Sequence, residues 1–147
     1  MIKYVPKGWG YEEWIVNNDK YCGKKLFVLK DKKCSYHYHK EKHETFFIQK
    51  GKLVVAYTSI YGMNNSEQDL GLCSLYIDSA WINSPIDDEK GLSICKDFVN
   101  MSILCEGDSL VLEPYTAHCF FAKKDTTIFE FSTHHEDSDS YRIIKGD

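Results

Sequence analysis

The chain has 147 residues, a formal net charge of −4, and hydrophobic and charged shares of 43% and 27%, which are ordinary for a globular protein. This length predicts a single domain, residues 1–147, with enough chain to bury a core. The 18 basic residues, of which only Arg142 is an arginine, are interspersed with acids, so no nucleic-acid partner is predicted. No apolar run is long enough to cross a bilayer, so no membrane partner is predicted either.

The N-terminal stretch MIKYVPKGWGYEEW lacks the apolar core of a signal peptide. The six cysteines show no CxxC spacing. Without a secretion signal, reduced thiols are the expectation, several of them buried as small apolar groups. A cytoplasmic location is therefore predicted, and a disulfide framework is the less favoured alternative.

Short runs of aromatic and β-branched residues follow one another, separated by clusters of Gly, Asn, Asp and Lys. None of these runs has a sustained helical period, and short strands with frequent turns indicate an antiparallel sandwich or barrel. The predicted strands are residues 14–16, 25–30, 36–39, 45–49, 53–59, 100–105, 109–113, 118–122 and 127–132. The predicted turns lie at 17–19, 30–33, 50–51, 106–108 and 122–125.

The segment between Ile60 and Asn100 breaks this rhythm. It is too long for a hairpin loop and too apolar in its middle to be a plain linker. Three interpretations stay open: an inert surface insertion, a lid over a barrel mouth, or a dimer contact. The apolar residues available for such a contact are Leu75, Tyr76, Ile77 and Trp81.

The stretch CSYHYHKEKHETFFIQKG holds the best metal-ligand candidates. His37 and His39 are two residues apart, so on a strand both side chains point to one face. Glu44 follows after a four-residue gap, and His118 is the best candidate for a fourth ligand. Three imidazoles and a carboxylate suit one divalent transition metal (Mn, Fe, Co, Ni or Zn) and leave one or two positions open to substrate.

Two motifs in the chain resemble those of the cupins. The first has HxH, then Glu, then a turn glycine, and the second has glycine, a proline-bearing approach and a histidine. The matching residues are His37, His39, Glu44 and Gly51, then Gly107, Pro114 and His118. The resemblance implies an all-β, single-domain jelly-roll β-barrel that binds one metal through the three histidines and Glu44. The insertion at about 61–99, between the motifs, is longer than cupins usually have.

Three positions depart from the cupin pattern. The glycine expected six residues before His37 is Asp31, which tolerates a turn. The glycine expected three residues before His118 is Tyr115, and the asparagine expected four residues after it is Ala122. None of these departures removes a ligand.

Strand alternation lets one of the adjacent pair His43 and Glu44 face inward, and Glu44 has the cupin spacing. Phe46 and Ile48 share the phase of Glu44 and are therefore predicted to face inward behind it.

Both ends of the chain carry a narrower resemblance. KGWGYEEWIVNNDKYCGKKL and FEFSTHHEDSDSYRI are similar to segments of small cupins related to type II mannose-6-phosphate isomerase and D-lyxose isomerase. This resemblance implies a metal-dependent isomerase or epimerase that acts on a sugar or phosphosugar through an enediol. A cupin dioxygenase with Fe(II) and a non-catalytic sugar-binding module stay open as alternatives. A homodimer is expected, because cupins often pair through barrel edges and pairing covers exposed strands.

The remaining candidates are acids and bases outside the ligand set. Glu130 lies in the apolar run 127–132, either as an outward carboxylate or as a catalytic acid in the barrel with a raised pKa suited to proton transfer. Lys24 and Lys42 are the candidate substrate-binding residues, expected at the barrel mouth, where Lys25 and Lys40 are also available.

Several other polar and aromatic residues have simpler interpretations. His134 and His135 lie in an acidic segment that favours a solvated tail over a second metal site. Trp9 and Trp14 favour packing over a sugar-stacking platform. The end of the chain is expected to pack back through residues 141–144 and to fray after them.

Overall fold

A computed structural model describes residues 1–61 and 100–147, and these form eleven β-strands and one 3₁₀ turn. The insertion at 61–99, with its lid and dimer interpretations, lies outside the described residues apart from Tyr61. The strands are β1 (Lys3–Lys7), β2 (Gly10–Asn17), β3 (Cys22–Val28), β4 (Tyr36–Tyr38), β5 (Glu44–Lys50), β6 (Lys52–Ser59), β7 (Asn100–Cys105), β8 (Ser109–Leu112), β9 (Thr116–Ala122), β10 (Thr126–Ser132) and β11 (Tyr141–Ile144), and the 3₁₀ turn is Asp137–Asp139.

The strands form two antiparallel sheets. One has six strands in the order β1-β2-β3-β10-β5-β8, and the other has five in the order β11-β4-β9-β6-β7. The crossed strand order, in which β10 lies between β3 and β5 while β9 lies between β4 and β6, is that of a jelly roll. The expected all-β jelly-roll fold is therefore confirmed.

The core lies between the sheets and follows from strand alternation. Phe46 and Ile48 on β5 are buried, as predicted, and Ile128 on the neighbouring β10 is fully buried beside Ile48. Trp9 packs edge-on against Phe120, with ring centroids 5.3 Å apart, which confirms a packing role for this tryptophan. Each such buried side chain contributes roughly 1.5–3 kcal/mol of transfer free energy.

Each predicted strand lies on an observed one, but β1 and β11 were not predicted. β1 contains Pro6, which lacks an amide donor, and the strand is tolerated because it lies at the edge of its sheet. β11 pairs with β4, the strand that carries His37, and so lies directly beside the HxH residues. In the parts of the chain that the structure describes, no helix has the length and apolar character needed to span a bilayer.

Two residues adopt a left-handed backbone conformation at turn positions where the cupin pattern has glycine. Asp31 has a φ of 62° and Tyr115 a φ of 60°. Gly51 has a φ of 106°, and a Cβ there would lie 2.5 Å from Thr126 Oγ1, so a larger residue would be both strained and crowded.

The last residues do not fray. The amide of Asp147 donates to the carbonyl of Lys33 at 3.0 Å, and the amide of Lys33 donates to Asp147 Oδ2 at 2.8 Å. Gly146 lies so close to the backbone of Cys34 that a Cβ would be 2.3 Å from its carbonyl carbon. The predicted fraying is wrong because these long-range contacts hold the segment.

Candidate metal centre and charged cavity

The three candidate histidines converge between the sheets. His37 on β4 and His118 on β9 are direct register partners, so their side chains share a face. Their ring centroids are 4.6 Å apart, and that of His39, which follows β4, lies 5.1 Å from His37. One ring nitrogen from each histidine lies within 4.8 Å of the others, close enough for a single ion to contact all three.

Each of these rings is oriented by a backbone carbonyl at Nδ1. A carbonyl only accepts hydrogen bonds, so Nδ1 carries the proton and Nε2 keeps its lone pair. Such a fixed tautomer is typical of histidines that bind metals through Nε2. The pairs are His37 with Ser35 at 2.9 Å, His118 with Thr116 at 2.9 Å, and His39 with Asp139 at 2.7 Å.

Glu44 completes the constellation from β5 on the opposite sheet. Its Oε2 lies 3.3 Å from His118 Nε2, and its Oε1 lies 3.7 Å from His39 Nε2. With Nδ1 protonated, these are contacts between acceptors, which repel unless a proton or a cation lies between them. A divalent cation fits this donor set. His43 points outward and pairs with Glu113 instead, at 3.4 Å.

The histidines are held in the form that binds metal. Burial lowers the pKa of His37 well below its usual range, and the neighbouring His118 and His39 lower it further. Burial likewise lowers the pKa of His118, although the carboxylate of Glu44 opposes the shift. Both imidazoles are therefore neutral at neutral pH, as a metal ligand must be.

A row of buried charges leads away from the histidines. Lys42 Nζ donates to Glu44 Oε1 and to Glu130 Oε1. Lys24 Nζ lies 3.7 Å from Glu130 Oε1 and 3.7 Å from Glu12 Oε2. All five residues are buried, so each charge depends on its neighbours for compensation.

Glu130 faces the cavity, but its pKa is not raised. Burial alone would raise the pKa of its carboxyl, yet the charges of Lys42 and Lys24 and the hydrogen bond from Lys42 hold it well below its usual range. Burial would likewise lower the pKa of Lys42, but Glu130 and Glu44 raise it. The prediction of a raised pKa for Glu130 is wrong because two lysines from other segments reach it.

The expected position of the lysines is also wrong. Lys24 and Lys42 lie inside the barrel rather than at its mouth, with side chains only 3% exposed. Lys25 points to the other face of β3 and pairs with Glu13 at 2.9 Å, and Lys40 lies over the ring of Tyr141. The alternation of side chains along β3 could have predicted the burial of Lys24, because Lys24 points to the same face as the buried Leu26 and Val28.

The histidines and the charged row line one cavity of about 510 Å³. This volume lies in the range of small-molecule sites. Trp9, Phe46 and Phe120 form apolar parts of its wall. The other charged groups lining it are Lys7, Asp137, Arg142, Lys145 and Asp147.

His135 was expected in a solvated tail but lines this cavity. Its side chain is 10% exposed and its ring packs edge-on against Trp14, with centroids 4.9 Å apart. Nε2 lies 3.2 Å from Asp137 Oδ1, while the buried Nδ1 has no hydrogen-bond partner among the described residues. His134 does match the prediction, being 40% exposed and paired with Glu136. Nothing in the local sequence distinguishes the two histidines.

Several solved structures resemble this fold. The capsular polysaccharide assembling protein CapF from Staphylococcus aureus matches with a TM-score of 0.66 and 10% identity over 98% of this chain and 32% of its own. An oxalate decarboxylase variant from Bacillus subtilis gives 0.62 and 13% over 96% and 30%. KdgF from Halomonas sp. gives 0.59 and 10% over 92% and 89%.

The chain thus spans about a third of the length of CapF and of the oxalate decarboxylase, but most of KdgF. At these identities the likeness concerns the fold alone. No curated protein matches the sequence. The family model described as D-lyxose isomerase matches residues 10–144, which include both cupin motifs, the charged row and both flanking segments except residues 7–9. The chain belongs to the D-lyxose isomerase family of cupins.

Proposed function

We propose that the protein is a metal-dependent sugar isomerase that interconverts an aldose and a ketose, with a sugar or phosphosugar as substrate. One observation carries this proposal: three tethered histidines and Glu44 lie beside the ionised pair Lys42–Glu130 in one cavity of a D-lyxose isomerase family member. Neither the Fe(II) dioxygenase nor the non-catalytic module has a specific observation in its favour. The homodimer and the cytoplasmic location stay predictions.

His37, His39, His118 and Glu44 would hold one divalent metal, in keeping with their convergent Nε2 and carboxylate atoms. Bound there, the metal would supply Lewis-acid polarisation of a sugar carbonyl and its neighbouring hydroxyl. With a cation also bound to it, Glu44 would accept less strongly from Lys42, and Lys42 would be more available to Glu130 and to substrate.

Glu130 is the proposed base. Its depressed pKa keeps the carboxylate ionised at neutral pH, the state that a base needs. Transfer of the Lys42 proton to the substrate oxygen would remove one of the charges that lower this pKa, and Glu130 would then accept the proton from the carbon next to the carbonyl more readily. Lys42, hydrogen-bonded to it, is the nearest donor for the carbonyl oxygen as an enediol forms. Return of the proton from Glu130 to the other carbon, with loss of the hydroxyl proton to Lys42, gives the isomer without net gain or loss of protons.

Lys24 is proposed to bind a substrate hydroxyl and to position Glu130. Its Nζ lies between Glu12 and Glu130, and it also lies 4.5 Å from the centre of the Trp14 ring. These contacts fix the ammonium on the cavity wall. Glu12 is fixed in turn by Trp14 Nε1, which donates to it at 2.7 Å.

The test is isomer exchange in D₂O with aldoses and their phosphates, using protein loaded with each candidate metal. A proton-transfer route through Glu130 places solvent deuterium on the product carbon to the extent that the proton held by Glu130 exchanges with D₂O before it is returned, and a specifically deuterated substrate detects the part that is transferred without exchange. Glu130→Gln should lower kcat by about 10²–10⁴-fold with unchanged metal content. The control Glu113→Gln, an exposed carboxylate outside the cavity, should keep wild-type turnover. Absence of exchange with every metal and sugar would overturn the proposal.

A further inference from the structure

Arg142 stands next to the candidate metal centre. On β11 it is the register partner of His37 on β4. Directly opposed residues of an antiparallel pair project to the same face, with Cα atoms about 4.5–5.5 Å apart. Arg142 therefore extends from the wall that carries the histidines, and it is an exposed residue of the cavity lining.

Lys145 also lines the cavity, and we call Arg142 and Lys145 together the rim. The backbone around Lys145 is fixed. Gly146 packs on the backbone of Cys34, and Asp147 exchanges two hydrogen bonds with Lys33. A Cβ on Gly8 would lie 2.2 Å from the carbonyl carbon of Asp147, so this segment is held from both sides. Lys145 thus lies on an anchored strand end that lines the cavity.

The rim differs from the interior in how its cations are compensated. Lys24 and Lys42 are paired with Glu12, Glu44 and Glu130. Lys7 pairs with Glu12 at 3.2 Å. Within residues 1–61 and 100–147, by contrast, no carboxylate pairs with Arg142 or Lys145.

Asp147 and Asp137, which line the same cavity, each have another partner. Asp147 Oδ2 accepts from the Lys33 amide, and Asp137 Oδ1 lies 3.2 Å from His135 Nε2. Among the described residues, Arg142 and Lys145 therefore line the cavity without an ion-pair partner, whereas Lys7, Lys24 and Lys42 each pair with a carboxylate.

We propose that Arg142 and Lys145 form a subsite for the anionic group of a charged sugar, whose carbonyl end lies at the histidines. An arginine fork matches phosphate and carboxylate bidentately, and an adjacent lysine adds a second charge-assisted hydrogen bond. The proposal rests on the proposed function for the position of the carbonyl end. It narrows the substrate class from sugars in general to phosphosugars or sugar acids.

The first experiment measures binding by calorimetry on the metal-loaded protein. The probes are D-lyxose, a pentose 5-phosphate and a hexuronate, each with wild type, Arg142→Gln/Lys145→Gln and the matched control Lys20→Gln/Lys124→Gln. The control also removes two positive charges, from exposed positions that do not line the cavity. An anionic probe should bind at least about 10-fold more tightly than D-lyxose, and the rim variant alone should lose that advantage.

The pattern of results separates the subsite from the isomerase. Preference for the phosphate or for the uronate identifies which anion the subsite takes, and either supports it. Equal binding of neutral and charged sugars, or equal losses in the rim and control variants, overturns the subsite even if neutral sugars are isomerised. Rim-dependent anion binding without isomer exchange for any probe instead overturns the isomerase and leaves the subsite standing.

The second experiment distinguishes a specific loss of anion binding from misfolding of the variant. Arg142→Lys keeps the charge but removes the bidentate fork. It should raise KM for the anionic sugar by several-fold to about 10-fold while leaving kcat and the binding of D-lyxose unchanged. A fall in kcat for neutral and charged sugars alike would assign Arg142 a structural role and overturn the subsite.

Discussion

His37 and His118 occupy directly opposed positions on β4 and β9, and each uses Nδ1 to contact the carbonyl two residues before it, Ser35 and Thr116, at 2.9 Å. Two adjacent strands thus orient two rings by the same local contact. The orientation is set by the backbone and does not depend on a third side chain. It leaves the Nε2 atom of each ring free to bind an ion, and that of His118 lies 3.3 Å from Glu44 Oε2, so the strand pairing itself prepares the proposed metal centre.

The first prediction concerns metal content. Protein purified without chelator and measured by elemental analysis should carry about one equivalent of Mn, Fe, Co, Ni or Zn, because His37, His39, His118 and Glu44 are the proposed ligands of a single ion. His37→Ala and His118→Ala should lose affinity by more than the roughly 10–100-fold typical of losing an outer partner of a ligand. His43→Ala, which removes an outward-facing histidine of the same segment, should retain the metal. Equal metal content in all three variants would contradict the assignment.

The second prediction concerns the buried pair Lys42–Glu130. In chelator-treated protein, Lys42→Met should lower the free energy of unfolding by about 3–5 kcal/mol, because Glu44 and Glu130 are left buried without their shared cation. Urea unfolding of both single variants and of Lys42→Met/Glu130→Gln should give a coupling energy of about 0.5–3 kcal/mol.

The exposed pair Lys25–Glu13 provides the matched comparison. Its atoms are 2.9 Å apart, but both side chains are about a third exposed. The corresponding cycle with Lys25→Met and Glu13→Gln should give less than about 1 kcal/mol. Similar coupling energies in the two cycles would show that burial adds nothing to the interior pair.

The third prediction concerns the turn at Asp31, where the cupin motif has glycine. Its φ of 62° is left-handed, a region that asparagine and aspartate tolerate better than other residues with a Cβ. Asp31→Val should therefore lower the free energy of unfolding by about 1–2 kcal/mol, and Asp31→Asn should change it by less than about 0.5 kcal/mol. Asp19→Val is the control, since Asp19 is exposed and its φ is not positive. If both valine variants unfold alike, the left-handed turn is not the cause.

Much of the fold and of the candidate site could be predicted from local patterns. Strand alternation placed Phe46 and Ile48 inward, and the HxH spacing placed His37 and His39 on one face. These features depend on residues close in the chain, where a period of two fixes the side-chain direction.

The features that were missed depend on contacts between distant segments. The pKa of Glu130 is set by Lys42, 88 positions away, and by Lys24 on a paired strand. His135 enters the cavity because it packs on Trp14 of β2. Arg142 gains its position from the pairing of β11 with β4, and that strand has too little apolar sequence to be predicted. In each case the deciding partner comes from a strand whose register the sequence does not reveal.

The fourth prediction concerns Cys34, which is buried on the cavity wall. Burial raises the pKa of its thiol to about 12, although a hydrogen bond from the Phe120 amide opposes the shift. The thiol should therefore remain unmodified by iodoacetamide at pH 8, whereas the exposed Cys105 of the same native protein should react, as followed by peptide mass spectrometry.

The unfolded Cys34 thiol titrates near its ordinary value, about 8.5–9. Between that pH and about 12 the unfolded state thus binds fewer protons than the folded state, and stability should fall as pH rises through this window. Tyrosine and lysine titration affects wild type and Cys34→Ala alike, so the difference between the two proteins isolates the contribution of the thiol. The free energy of unfolding of the variant should fall less steeply with alkaline pH. Equal slopes, or labelling of Cys34 at the rate of Cys105, would contradict the buried, protonated thiol.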